Sequence, residues 1–471
     1  MRLKGIVISK DQGTLLGHPK GLFLLFGTEL WERFCFYGMR AILVLYLTEK
    51  TMNGGFGWTT KDALGLYATY TGLVYLTPLI GGWIADNFLG QRRCVMIGGV
   101  AMAAAQFVLA LPNSVVGDSA LHVFYAGLTL MIIGNGLFKA NISTMVGDLY
   151  EEGDNRRDGA FTIFYMGINL GSLLAGIIAG TAVSIWGYKA GFATAGIGIC
   201  IGLTLQMLFA RRLLGRIGIE PAAKRDAAKN KSGKKEPLTK VERDRLKVIM
   251  IMGLFVVVFW AGFEQAGGLM NIYTQQYTDR VIGSFTVPTE WFQSLNPFFI
   301  ITLAPVIAAL WVKMGPKEPS SPIKFALALF FLAIGFLFMV GAAMEQGGDL
   351  TVKTSMLWLV GAYFFHTLGE LCLSPIGLSM VTKLAPLRLC SLLMGVWFSF
   401  NALANYLAGI IGSHIGDAGA LAIFGGIASA ATVSGLILIL FSGKLIDWMH
   451  GAEGQPTTEM KEAEAQLAEA N

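Results

Sequence analysis

The sequence predicts an all-α integral membrane protein of twelve transmembrane helices arranged as two six-helix halves. Three observations carry that prediction. The 471 residues are 54% hydrophobic and only 14% charged, whereas a soluble globular domain carries about 25% charged residues. Twelve apolar runs approach the roughly 20 residues that a helix needs to cross a bilayer. The Lys and Arg residues collect on alternate connections between those runs.

The runs are Leu22–Leu47, Leu64–Ile84, Val95–Leu111, Leu121–Met145, Phe161–Val183 and Gly191–Phe209 in the first half. In the second they are Val248–Met270, Trp291–Trp311, Phe325–Met344, Met356–Met380, Leu392–Ile411 and Leu421–Phe441. The basic connections hold Arg2, Lys4 and Lys10; Arg92 and Arg93; Arg156 and Arg157; Lys313 and Lys317; Lys383 and Arg388; and Lys444. Positive charge stays on the cytoplasmic side, so both termini are expected in the cytoplasm, and an even number of spans agrees. The net charge of +5 lies on these loops. It speaks for topology in a cell (inner) membrane and not for a nucleic-acid partner. The N-terminus lacks the apolar core and cleavage site of a signal peptide. The five cysteines, Cys35, Cys94, Cys200, Cys372 and Cys390, lie in or beside apolar runs at irregular spacing, which fits neither a disulfide framework nor a metal site.

The longest connection, Arg211 to Lys247, holds thirteen Lys and Arg against five acids. It reads as a solvated basic cytoplasmic linker. It divides the chain into an N-terminal bundle (1–210), the linker (211–247), a C-terminal bundle (248–446) and a cytoplasmic tail (447–471). The halves resemble each other weakly. Leu-Ala-Gly-Ile-Ile occurs at Leu174–Ile178 and again at Leu407–Ile411, 233 residues later. In that register Phe164-Tyr165 matches Trp397-Phe398. Pro78 matches Pro305 and Gly90 matches Gly315, at offsets of 227 and 225. Parallel six-span repeats build the major facilitator fold, whose substrate site lies between the halves at mid-membrane.

The first run is the most informative. Residues 29–38 read Glu-Leu-Trp-Glu-Arg-Phe-Cys-Phe-Tyr-Gly, and a charge at the bilayer centre costs about 2.5–3.5 kcal/mol even on insertion scales, so such residues face a cavity. Helical spacing puts Glu29, Glu32, Arg33, Phe36, Tyr37 and Arg40 on one face. One guanidinium cannot compensate two carboxylates, so one of Glu29 and Glu32 should take up a proton near neutral pH. The bland alternative is a permanent ion pair that orients the helix, but buried pairs rarely improve on apolar packing. Arg40 lies nearer the outer end, where it can snorkel.

Further charges fall inside other runs: Lys139 in the fourth, Glu264 beside Gln265 in the seventh and Glu370 in the tenth. Carboxylates at 29, 32, 264 and 370 against cations at 33, 40 and 139 suggest mutual pairing across a cavity. Lys139 and Glu264 form a candidate pair that opens and closes as the halves rock. Asn169, and Asn296 before Pro297, add polar recognition groups or interhelical hydrogen bonds. Pro297 and Pro375 remove backbone donors. Tyr70, Tyr75, Tyr165, Trp260 and Trp397 line a pocket or serve as packing. His366 reads as packing or hydrogen bonding. After the second run, Gly82 to Asp86 opens a turn in which Asp86 can accept from Arg92, Arg93 or the next helix N-terminus. That suggests an inner-side latch.

These residues resemble the proton-dependent oligopeptide transporter family of the major facilitator superfamily. The family's E-x-x-E-R-F-x-x-Y-G run is matched at Glu29, Glu32, Arg33, Phe34, Tyr37 and Gly38. Phe161 to Gly171, with Tyr165 and Asn169, resembles its F-Y-x-x-I-N-x-G signature, and Gly-Glu-Leu-x-x-Ser-Pro recurs at 369–375. The resemblance implies import of di- and tripeptides with protons by a monomer in the bilayer. No cofactor is needed beyond the proton gradient. It assigns Arg40 and Lys139 to the peptide carboxylate and Glu370, Asn169 and Asn296 to the amino end. Tyr37, Tyr75, Trp260 and Trp397 would line side-chain pockets. Glu29, Glu32 and Arg33 would carry proton coupling, and Lys139 with Glu264 would gate.

Three departures from the family pattern matter. Phe36 stands where many members have a second Tyr. The second span has no histidine, so coupling should rest on carboxylates. The linker is too short and too charged for the two extra helices that many bacterial members insert between the halves. A symporter for nitrate or another small solute is the alternative, though nitrate would not need Glu370. No metal cluster, nucleophile–base pair or phosphate loop points to an enzyme. The two-half repeat favours alternating access over a channel.

Overall fold

A computed structural model describes residues 13–150, 154, 156–221, 237–386 and 389–452. The middle of the basic linker and the tail beyond 452 lie outside these residues, as does Arg388. Twelve long helices occur among the described residues. They are α1 (Lys20–Thr48), α2 (Thr60–Ile84), α3 (Gln91–Ala110), α4 (Ala120–Gly147), α5 (Arg156–Trp186) and α6 (Tyr188–Leu213), then α7 (Lys240–Phe263), α8 (Leu295–Met314), α9 (Ser321–Gln346), α10 (Met356–Leu384), α11 (Cys390–Ser413) and α12 (Ala420–Met449). Eleven are long and apolar enough to cross a bilayer. The remaining one, α1, is 29 residues long and carries Glu29, Glu32, Arg33 and Arg40 within its length. The expected twelve spans are therefore present, and the chain is a multi-pass membrane protein.

The chain divides into two units, Met1–Gly233 with Val281–Ile301, and Lys234–Arg280 with Thr302–Asn471. In the first, α1 packs along α5 and α6, while α4 packs along α2 and α3. Close approach depends on small residues, since helices in lipid associate by packing and not by apolar transfer. A Cβ on Gly81 would lie 2.0 Å from the Gly136 carbonyl oxygen, so α2 and α4 touch backbone to backbone there. The helix start of α2 is fixed by Thr59, whose hydroxyl oxygen accepts from the Asp62 N–H at 3.2 Å, the ordinary N-cap arrangement. Its end widens into a π-helical turn, Ala85–Leu89.

The segment Val281–Ile301, which the sequence assigns to the second half, groups with the first unit. Directed bonds explain this. The Trp291 indole donates to the Ile177 carbonyl at 3.1 Å, and the Ser294 hydroxyl donates to the Leu173 carbonyl at 2.8 Å. Both acceptors lie on α5.

In the second unit, α9 packs along α10 and α12, and α7 along α11 and α12. A reciprocal Thr239–Glu242 capping box starts α7 at Lys240, eight residues before the expected apolar run. The expected continuous span Val248–Met270 is broken. The α-helix stops at Phe263, a 3-10 turn covers Glu264–Ala266, and a short helix resumes over Leu269–Tyr277. Gly268 stands at the joint, as the residue before the short helix. Gly90 and Gly315, matched by the internal repeat, both adopt positive φ, at 80° and 48°.

Candidate functional site

The charged face of α1 is buried. Glu29, Glu32 and Arg33 are exposed by 2% or less. Room for the Arg33 side chain comes from Gly171 of α5. A Cβ there would lie 2.2 Å from the Leu30 carbonyl oxygen and 3.1 Å from the Arg33 Cβ. Arg33 grips Glu32 with two nitrogens. Its Nε donates to Glu32 Oε2, and its Nη2 donates to Glu32 Oε1 at 2.7 Å. The Asn135 amide, from α4, donates to Glu32 Oε1 at 3.1 Å. Glu29 is served differently. Its Oε1 lies 3.2 Å from Arg33 Nε, and its Oε2 is buried with no hydrogen-bond partner. Phe36 packs its ring 5.1 Å from the Arg33 guanidinium carbon, a favourable cation–aromatic distance. The position that departs from the family pattern thus supports the charge through its ring face.

Farther along α1, Arg40 Nε donates to the Tyr67 hydroxyl at 2.7 Å, and its guanidinium carbon lies 5.9 Å from the Tyr37 ring centre. Arg40 is 7% exposed, so it is held inside the protein and does not snorkel. Lys139 of α4 is half-buried, with its ammonium 4.2 Å from the Tyr75 ring centre on α2. Asn169 is buried on α5, and its amide donates to the Tyr165 carbonyl at 3.0 Å. Asn296 is half-buried in the first turn of α8, beside the buried Pro297. The first unit thus holds Glu29, Glu32, Arg33, Tyr37, Arg40, Tyr75, Lys139, Asn169 and Asn296.

The second unit holds the rest. Glu264 is 3% exposed at the break after α7. Its neighbour Gln265 anchors the break by donating to the Ala408 carbonyl of α11 at 2.8 Å. Trp260 packs edge-on against Phe263 at 5.0 Å and joins an apolar cluster of Val257, Ala261, Ala404 and Phe400. Phe400, which packs on the same cluster, also meets Trp397, 6.5 Å between ring centres. Glu370 is buried in α10, one turn before Pro375. His366 is buried against Phe336, 4.7 Å between ring centres, as the packing reading expects.

At the turn after α2, Asp86 is exposed. Arg92 donates to the Gly215 carbonyl at 3.0 Å, tying α3 to the turn after α6.

Two buried groups, Asn135 and Tyr67, escaped the sequence reading, and a third, Tyr70, was read only as pocket lining or packing. Asn135 lies four residues before Lys139, on the same face of α4, and that spacing was a usable signal. Tyr67 gave no such signal, because its partner is 27 residues away on another helix. The buried Tyr70 hydroxyl lacks a hydrogen-bond partner, a polar group that the sequence alone does not separate from aromatic packing.

Helices that span a membrane and carry buried, partly compensated charges define a class: membrane transporters that hold polar solutes or ions within the bilayer. The chain belongs to the POT family, whose model matches residues 92–222 and 217–420. An uncharacterized transporter of Bacillus subtilis, YclF, is 37% identical over 93% of this chain and 96% of its own length. The peptide transporter YePEPT of Yersinia enterocolitica is 34% identical over 94% of this chain and 98% of its own. Among solved structures, a peptide transporter POT in complex with sulfate superposes with a TM-score of 0.85 at 36% identity, covering 92% of this chain and 96% of that one. The fold is that of the major facilitator superfamily, as the internal repeat predicted.

Proposed function

We propose that the protein imports di- and tripeptides together with protons by alternating access, as a monomer in the cell (inner) membrane with both termini in the cytoplasm. The peptide transporter YePEPT matches this chain nearly end to end, and a di-/tripeptide transporter of Lactococcus lactis matches most of it. The observation that carries the proton half of the reading is the α1 cluster. One guanidinium meets two carboxylates: Glu32 has both oxygens engaged, and Glu29 has one buried oxygen without a partner. A lone anionic oxygen in a dry site is expensive, so Glu29 is the better seat for the transported proton. Arg40 and Lys139 offer cations to the peptide carboxylate, and Glu370, Asn169 and Asn296 receive the ammonium end. Tyr37, Tyr75, Trp260 and Trp397 form tolerant side-chain walls. Lys139 with Glu264, and Asp86 with Arg92, serve gating.

The protein acts as a carrier and not an enzyme, with no cofactor, and the proton gradient drives it. A buried carboxylate such as Glu370 suits an ammonium-bearing solute, which favours peptides over nitrate. Uptake of radiolabelled dialanine into proteoliposomes tests the reading. Saturable uptake driven by an inward proton gradient, and competed by other dipeptides, is expected. Absence of saturable, gradient-driven uptake overturns it.

A further inference from the structure

Away from the α1 cluster, the second unit contains a cleft of about 160 Å3 lined by Glu318, Ser320, Ser321, Lys324, Ser379 and Lys383, among others. It is several times the roughly 30 Å3 that a water occupies in the liquid. Four features converge on it. Ser320 is the N-cap of α9, a 26-residue helix, yet its side chain makes no cap bond. The Ser320 hydroxyl is buried without a partner, in a residue only 8% exposed. Lys324, one turn into α9, is 5% exposed. Lys383, in the last turn of α10, is exposed on the rim. The positive end of a helix dipole, an idle hydroxyl donor and two ammonium groups are the elements of an oxyanion site. One carboxylate opposes them: Glu318 pairs with Lys324 but stays 40% exposed, which leaves the cleft one positive charge in excess.

We propose that this cleft binds a phosphate group. The Ser320 hydroxyl and the Lys324 and Lys383 ammonium groups donate to its oxygens, while Glu318 turns outward to solvent. Two sources share that chemistry: the headgroup of an anionic phospholipid and free phosphate. The surroundings resemble a lipid interface. Trp311, at the end of α8, lies 4.9 Å from the Lys324 ammonium, and aromatic rings beside lysines mark the headgroup level of a bilayer.

The full-length protein is reconstituted in nanodiscs of phosphatidylcholine, with or without phosphatidylglycerol, and its thermal unfolding is followed by tryptophan fluorescence. In parallel, the protein in neutral detergent is titrated with inorganic phosphate at ionic strength held constant with chloride. Phosphatidylglycerol should raise the unfolding temperature by several degrees. Ser320→Ala and Lys383→Gln should each lose at least half of that shift, and Lys313→Gln, outside the cleft, should keep it. A saturable shift with inorganic phosphate but none with phosphatidylglycerol supports the site and assigns it to a soluble anion. Lys383 is exposed, so its variant remains informative if Ser320→Ala folds poorly. No shift with either ligand, or equal shifts in all three variants, overturns the proposal.

Discussion

Glu29→Gln is the substitution that separates proton coupling from peptide handling. The side chains have nearly the same shape, and the amide mimics the protonated acid. In the wild type the Glu29 carboxylate lies 3.2 Å from Arg33 Nε. At an effective dielectric constant of about 20, that separation corresponds to about 5 kcal/mol of attraction. Glu32 already compensates much of the Arg33 charge, so the net hold on an ionised Glu29 is well below this. It is then no greater than the several kcal/mol that drying a charge costs, so the proposed site binds and releases a proton as it closes and opens. The variant still leaves Arg33 with Glu32, a neutral pair with three hydrogen bonds to the carboxylate, so folding should survive. A pH difference of one unit stores about 1.4 kcal/mol per proton, enough for tenfold accumulation by a one-proton carrier. Wild-type proteoliposomes should therefore concentrate dialanine about tenfold over its equilibrium level at zero membrane potential. Glu29→Gln should bring the ratio to unity, while counterflow exchange between equal pH values stays within a few-fold of wild type. Tenfold accumulation retained in the variant would refute the assignment of the proton to Glu29.

Three further outcomes follow from the same geometry. Tyr67→Phe removes the hydroxyl that accepts from Arg40 Nε; it should raise the KM for dialanine several-fold and leave the accumulation ratio unchanged, as uptake kinetics at fixed pH gradient would show. Asn135→Ala removes a donor to a buried carboxylate, a bond worth about 1.5–3 kcal/mol, and should lower the unfolding temperature in detergent and slow both exchange and uphill uptake. Gly171→Ala puts a methyl group 2.2 Å from the Leu30 carbonyl; it should displace α1 from α5, and its transport should fall much further than that of a Gly65→Ala control, where a Cβ meets nothing within 4 Å.

What was legible in the sequence follows from how expensive each feature is. Charges in a bilayer cost enough that Glu29, Glu32, Arg33, Lys139 and Glu370 announce themselves against an apolar background. Hydropathy marks the spans for the same reason, and α1 was found from its apolar flanks despite its charges. The break after Phe263 was only partly legible: Glu264, Gln265 and the Gly267-Gly268 pair mark a weak spot in the run, but the bond by which Gln265 reaches the Ala408 carbonyl 143 residues away leaves no local signal. The grouping of Val281–Ile301 with the first unit rests on indole and hydroxyl donors meeting carbonyls of α5, and no periodicity encodes that. Glu29 and Glu32 looked equivalent in sequence. The two-nitrogen grip of Arg33 on Glu32, and the Asn135 amide contributed by a helix 103 residues downstream, make them unequal.

If the cluster carries the proton as proposed, that inequality explains why it needs two carboxylates. A single Glu bound to Arg33 would be a closed, neutral pair with nothing to gain from a proton. Glu32, held by two guanidinium nitrogens and an amide, plays that closed role and fixes the orientation of Arg33. The second carboxylate then faces a cation whose charge is already largely compensated. Its ionised form depends on whatever water or positive charge reaches its open oxygen, and its protonated form does not. A site whose charge state follows its hydration is what a carrier requires, since hydration is what changes when a membrane cavity opens to one side. Neither residue alone supplies it, and Gly171 matters because it lets α5 meet α1 at backbone contact beside the pair.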